Sequence, residues 1–263
     1  MDETFETIEL EFDEETGVGY LTLDRPDSLN ALSLQLREEV IEGLRSLNDL
    51  NDDSIDMRVV VIEGAEGNFC AGADITEFED DAPIVDADRT HFQFLRDYPV
   101  PVIAKIHGYC LGGGLETAMS CDFRFASEDA TLGLPEVDLG IIPGAGGVQF
   151  ISRLANPSVA MEIAMTGDHI SADRAAEVGI VNRVYDEEEL DDAVEAFAAE
   201  IASKPPRSVQ AIKQSANLAT EVGLDEGLEY DRKLIDPLFG TEDHEEGVRA
   251  FAEDDYEPEF KGR

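Results

Sequence analysis

The chain has 263 residues, 43% of them hydrophobic, with 60 acidic residues against 19 basic and a formal net charge of −41. That length holds one large or two small domains with a full core, and no apolar run is long enough to span a bilayer. So large an acidic excess excludes a nucleic-acid partner, which needs a basic footprint.

Thr7–Phe12 and Val18–Leu23 alternate or run apolar around Asp13–Gly17, and predict a β-hairpin. After the loop 24–32, Ser33 is placed as the N-cap of a helix reaching about Leu50, with Leu36, Val40, Leu44 and Leu47 on one face. Arg58–Glu63 (RVVVIE) is continuously apolar, as in a strand buried on both faces, and ends at Gly64. A second glycine-containing turn, Phe69–Ile75, follows it. The acidic stretch Glu77–Arg89, with Pro83, reads as a mobile loop, and His91–Tyr98 as a helix stopped by Pro99 and Pro101.

The stretch Lys105–Gly147 carries the chemistry. A strand, Val102–Ile106, is followed by Gly112, Gly113 and Gly114, and Leu115–Met119 opens a helix containing Glu116. Glu136 stands twenty positions later, and Gly144, Gly146 and Gly147 open another apolar segment. Glycine lets backbone approach a ligand closely, and the first amides of a helix have no intrahelical partner. A developing oxyanion would be stabilised there, with Glu116 one turn away. The same spacing also suits a tight strand-to-helix packing turn with two ordinary glutamates.

Further on, Val148–Leu154, Ser158–Met165 and Ala172–Val178 read as helices and Val181–Tyr185 as a short strand. Glu188–Ser203 is an amphipathic helix with Leu190, Val194, Phe197 and Ile201 at core spacing, broken by Lys204-Pro205-Pro206. Ser208–Ala219, Asp225–Leu234 and Glu245–Ala252 form a helical tail. One α/β unit, residues 1–200, with a helical extension over 201–263, is therefore expected. Cys70, Cys110 and Cys121 lack metal-site spacing and read as buried thiols; His91, His107, His169 and His244 form no ligand grouping. The acidic N-terminus carries no basic, apolar leader pattern, so a cytoplasmic location is expected. The charge itself suggests a high-salt cytoplasm, where a Debye length of about 3 Å at 1 M removes most self-repulsion.

Five segments in order resemble the enoyl-CoA hydratase/isomerase (crotonase) family: DRPDSLNALS (24–33), FCAGADI (69–75), IHGYCLGGGLETAMSCDFRFAS (106–127), LGLPEVDLGIIPGAGG (132–147) and TEDHEEGVRAFAE (241–253). The resemblance implies a spiral of repeated ββα units, with C-terminal helices that assemble trimers or dimers of trimers. It implies a coenzyme A thioester as substrate, with no cofactor beyond the coenzyme A that the substrate brings. It assigns the oxyanion-binding amides to Ala73 and Gly113, and water or substrate orientation to the amide at Gly144. Contacts to coenzyme A fall to Arg25, Ala71, Ala73, Asp74 and Ile75. Glutamate at both Glu116 and Glu136 resembles hydratases, Glu116 activating water and Glu136 exchanging the α-proton. Isomerases of the family usually keep one acid-base group, and a non-catalytic acyl-CoA-binding subunit is the alternative of another class. Asp27 and Thr76 stand where many relatives carry lysine near the coenzyme A phosphates, and Asp254-Asp255 where the family ends basic. Backbone amides of 73–76, Arg25 or a cation are the candidate replacements.

Overall fold

The computed structural model describes residues 4–51, 53–79, 90–253 and 255–263. Strands β1 (Ile8–Asp13) and β2 (Val18–Leu23) form the expected hairpin, in register from Ile8 opposite Leu23 to Asp13 opposite Val18. Helix α1 (Leu34–Asn48) starts where Ser33 caps it, its hydroxyl accepting from the Leu36 amide. A cap of this kind contributes about 1 kcal/mol. Leu36, Val40, Leu44 and Leu47 are all buried, each contributing about 1.5–3 kcal/mol by leaving water.

The chain then adds strands in parallel: β3 (Val59–Gly64) beside β2, and β4 (Val102–Ile106) beside β3. Next come β5 (Tyr109–Leu111), β6 (Phe123–Ser127), β7 (Thr131–Gly133), β8 (Ile170–Ser171) and β9 (Arg183–Tyr185). The large sheet has the order β1-β2-β3-β4-β6-β9, with every pairing after the hairpin parallel. Alternate residues of its strands feed two cores. Val60, Ile62, Val102 and Ala104 pack in the larger one with α1. Val59, Val61, Ile103 and Phe125 pack in the smaller one. This two-sided burial is why Val59–Ile62 shows no polar alternation.

A second, smaller sheet runs β5-β7-β8 and is extended by isolated bridges, Cys70 with Cys110 and Leu32 with Ala73. Each turn of the chain thus leaves one strand in the large sheet, crosses to a short pairing in the small one, and returns through a helix. That is the spiral of ββα units the resemblance implies. The strands of the small sheet have two or three residues each, too few for any hydropathy period, and none of β5, β7 or β8 is expected from sequence.

The remaining helices are α2 (His91–Arg96), α3 (Gly113–Ser120), α4 (Gly147–Leu154), α5 (Pro157–Thr166), α6 (Ala172–Glu177), α7 (Glu187–Ala202), α8 (Pro206–Leu218), α9 (Leu224–Leu238) and α10 (Glu242–Ala252). On α7 the fully buried stripe is Leu190, Val194, Ala198 and Ala202. Phe197 and Ile201, expected at its centre, are half-buried at the edge of the smaller core. The stretch expected as a mobile loop begins inside a 3-10 turn, Ile75–Glu79; residues 80–89 lie outside the described residues. No helix among the described residues is long and apolar enough to cross a membrane.

α8 is tied to the core by Lys213, whose ammonium donates to Asp122 Oδ2 (2.6 Å) and to the Val100 carbonyl (2.9 Å). The chain end returns to the start of β3, where Arg58 Nη2 donates to the Phe260 carbonyl (2.7 Å). Asp243 of α10 accepts from the amides of Lys261 (2.7 Å) and Gly262 (2.8 Å).

Candidate active site

Helix α3 is the centre of the site. Gly112, at its N-cap, has φ 51° and ψ −124°, a conformation that disfavours any side chain. A Cβ at Gly114 would lie 2.2 Å from the Cys70 carbonyl oxygen, so glycine alone lets α3 approach the 70–73 turn. The far end of α3 is held by Arg124, nearly fully buried. Its Nη1 donates to the carbonyls of Cys121 (2.8 Å) and Ala118 (3.4 Å), and its Nε to that of Ile180 (2.6 Å). A cation at the C-terminal carbonyls opposes the helix dipole. Thr117 donates to the Gly113 carbonyl (2.8 Å) and lies 3.0 Å from His91 Nε2. Because the hydroxyl proton is spent on Gly113, His91 is the donor to Thr117 and is neutral, burial pushing its pKa down to about 3.

Two backbone amides lie close together at this junction. The Ala73 nitrogen is 3.7 Å from where a Cβ on Gly113 would stand. Neither the Ala73 nor the Gly113 amide donates to an acceptor among the described residues. Leu32 Cδ1, 3.0 Å from the same point, walls the junction with carbon.

Glu116 is 3% exposed, and its Oε1 accepts from the amides of Ala145 (2.8 Å) and Gly147 (2.8 Å). Gly147 is the first residue of α4, so the carboxylate caps the N-terminal amides of a second helix. Burial is the largest influence and raises the Glu116 pKa to about 7; the two amide bonds oppose it and nearby Glu136 reinforces it. Glu136 sits in a 3-10 turn, Pro135–Leu139, that begins with proline and ends at Gly140 with φ 73°. Its Oε1 is 3.1 Å from where a Cβ on Gly112 would stand, and its buried Oε2 has no hydrogen-bond partner. Burial raises the Glu136 pKa as well. The site therefore presents two carboxyl groups with raised pKa values and two free amides, in one cavity of about 2310 Å³.

Ala71, Ala73, Asp74, Ile75, Gly113, Glu116, Glu136 and Gly144, all singled out from sequence, line that cavity. Arg25 is not in the lining; its guanidinium donates to the Ala31 carbonyl (2.5 Å) and to Asp74 Oδ2 (2.9 Å). Gly144 lines the cavity beside Ala145, but the amides that grip Glu116 are those of Ala145 and Gly147. These two were missed from sequence, although a glycine cluster opening a helix is the signal that marks them. Cys70, Cys110 and Cys121 are buried free thiols, burial pushing Cys70 and Cys121 up to about 12. Among the described residues no group of three or more His, Cys, Asp or Glu could hold a metal ion.

Residues 13–263 match the family model described as enoyl-CoA hydratase/isomerase. The chain belongs to the enoyl-CoA hydratase/isomerase family. This family member is 39% identical over 254 residues to a probable enoyl-CoA hydratase of Mycobacterium bovis, covering 95% of this chain and 96% of the relative. It is 36% identical to a crotonyl-CoA hydratase of Syntrophomonas wolfei, over 95% of this chain and 96% of that one. A solved enoyl-CoA hydratase from Geobacillus kaustophilus superposes with a TM-score of 0.88 at 37% identity, covering 98% of this chain and 99% of that one. One from Bacillus anthracis gives 0.88 at 35% identity, covering 98% and 100% respectively.

Proposed function

We propose that this chain is an enoyl-CoA hydratase that adds water across a trans-2-enoyl-CoA to give a 3-hydroxyacyl-CoA. The observation that carries the reading is the buried carboxyl of Glu116 and the half-buried one of Glu136, beside the free amides of Ala73 and Gly113 in one cavity. The two amides polarise the thioester carbonyl, which makes the β-carbon electrophilic and stabilises the enolate that forms when water adds. Glu116, ionised, orients water and takes its proton; Glu136, protonated, delivers a proton to the α-carbon on the same face. The bond made at the β-carbon is C–O, the bond made at the α-carbon is C–H, and the alkene π pair is consumed between them. The raised Glu116 pKa, about 7, suits this exchange, because that group then gains and loses a proton near neutral pH, and burial shifts Glu136 in the same direction. The relatives named as enoyl-CoA and crotonyl-CoA hydratases support the same assignment.

The test is crotonyl-CoA hydration followed at the thioester-conjugation absorbance, in molar KCl, with the wild type and Glu116→Gln. Loss of absorbance with the wild type alone supports the hydratase and the role of Glu116. A folded wild type without activity on crotonyl-CoA, but active on a 3-enoyl-CoA, makes the protein an isomerase instead.

The finer assignments are these. Ala71, Ala73, Asp74 and Ile75 are assigned to contact with coenzyme A, supported by their place in the cavity lining. The chain divides at about residue 200 into the spiral and a helical extension; that position falls in the last turn of α7. The extension joins three copies, or two sets of three. Its support is α9, which buries no residue, and α10, whose Phe251 is 95% exposed. The protein works in a cytoplasm of high salt, on the strength of a net charge of −41. Circular dichroism after dialysis into dilute buffer tests the last point: loss of the folded signal is expected, and an unchanged spectrum rejects it.

A further inference from the structure

The Ala73 amide is aimed by its neighbours. Leu32 donates to the Gly72 carbonyl (2.8 Å), and Asp74 donates to the Leu32 carbonyl (3.1 Å). These two bonds make the parallel bridge of Leu32 with Ala73 from the groups flanking Ala73, and leave the Ala73 N–H for the Gly113 side. Asp74, the next residue, is fixed at both carboxylate oxygens. Oδ2 accepts from Arg25 Nη2 (2.9 Å); Oδ1 accepts from the Thr76 amide (3.2 Å) and hydroxyl (2.6 Å).

Arg25 is fixed in turn. Its amide donates to Asn30 Oδ1 (2.9 Å), and its carbonyl accepts from the amides of Asn30 (2.9 Å) and Ser28 (3.0 Å). Asn30 is fully buried and holds φ 56°. Its Nδ2 donates to the carbonyls of Ala65 (2.9 Å) and Asn68 (2.7 Å), just after β3. A continuous set of contacts therefore runs from the rigid sheet through Asn30, Arg25 and Asp74 to the peptide that carries the Ala73 N–H.

We propose that Arg25 and Asp74 are positioning residues for the Ala73 amide, their ion pair fixing its direction toward the thioester oxygen. This rests on the reading of Ala73 and Gly113 as the oxyanion donors. It gives Arg25 a role other than contact with coenzyme A. Its guanidinium is committed to Ala31 and Asp74, and the Asp74 carboxylate beside it would repel a phosphate. The direction of an N–H matters because a hydrogen bond weakens steeply below about 120° at the proton. Removing an oxyanion donor outright costs about 100- to 1000-fold in kcat, so a tilted donor should cost about tenfold.

The experiment compares wild type, Arg25→Met, Arg25→Lys, Asp74→Asn and Glu116→Gln. The readouts are kcat, KM and the absorbance band of bound hexadienoyl-CoA, which moves to the red when the thioester carbonyl is polarised. Arg25→Met and Asp74→Asn should lower kcat about tenfold, leave KM within about threefold, and shrink the red shift. Arg25→Lys should recover part of both. Glu116→Gln should lose turnover and keep the full red shift. If Arg25→Met does not fold, Asp74→Asn and Arg25→Lys carry the same comparison. A full red shift with kcat within twofold of wild type overturns the inference. So does a rise in KM with the red shift intact, which would return Arg25 to coenzyme A binding. A wild type that binds hexadienoyl-CoA without any red shift instead removes the oxyanion reading itself.

Discussion

Helix α3 and helix α9 belong to one chain, and they are held in opposite ways. Of the eight residues of α3, all but Gly113 are buried, and its C-terminal carbonyls are met by the Arg124 guanidinium from β6. α9 has fifteen residues and buries none of them; Leu224 is 78% exposed and the flanking Phe239 is 60% exposed. Apolar side chains left in water are unfavourable by about 25 cal/mol per Å². The contrast separates what the chain packs against itself, the site, from what it leaves exposed, the tail. Phe251 on α10 and Ile142 near the cavity mouth, 95% and 76% exposed, belong with the tail in this respect.

The largest effect expected from breaking this division is on the site side. Glu116→Gln and Glu136→Gln should each lower turnover at least about a hundredfold with the assembly mass unchanged. Near-normal turnover in either removes that residue from the mechanism. Gly114→Ala puts a methyl against the Cys70 carbonyl, forces α3 away from the 70–73 turn, and should lower kcat/KM about tenfold or more. A variant as active as wild type would show that the junction tolerates a looser fit. On the tail side, Phe251→Asp should shift the light-scattering mass from an oligomer to the single chain of 28.8 kDa. An unchanged mass places the interface elsewhere.

The smallest effect is one of pH. The folded Glu116 pKa, about 7, exceeds its ordinary 4.5, so the folded state binds the extra proton between those values. Stability then falls as pH rises across that window, by about 3 kcal/mol in all. Glu116→Gln removes this dependence: its denaturation midpoint should exceed that of wild type at pH 8 and match it near pH 4. Activity runs the other way, since the ionised form takes the proton from water, and kcat/KM should rise through about pH 7. Parallel stability curves for the two proteins would mean that the buried carboxyl titrates in its ordinary range.

Much of this was legible in the sequence because periodicity and caps are local. Ser33, the α1 stripe and the Gly112–Gly114 turn each act within a few residues, and the two glutamates stand beside glycine turns that can be seen without a fold. What could not be read depends on distant pairing. β5, β7 and β8 exist only through one another, and the partners of Glu116 lie 29 and 31 positions away. The link from Arg25 to Asp74 spans 49 positions, and no local pattern announces it. On α7 the period itself is right, but Ala198 and Ala202 join Leu190 and Val194 on the buried stripe, while the bulky Phe197 is only partly buried against the smaller core.

The buried Arg124 also sets an order of events in time. Its Nε reaches the Ile180 carbonyl 56 positions on, and Asn182 Oδ1 accepts from its amide (2.8 Å). A chain emerging from the ribosome as far as β6 already contains Glu116 and the two residues proposed as oxyanion donors, Ala73 and Gly113, yet the guanidinium at the end of α3 still lacks these acceptors. At roughly 5–20 residues per second, that gap lasts several seconds. The catalytic helix is complete in sequence long before it can be complete in structure, and residues 180–182, remote from any chemistry, close it.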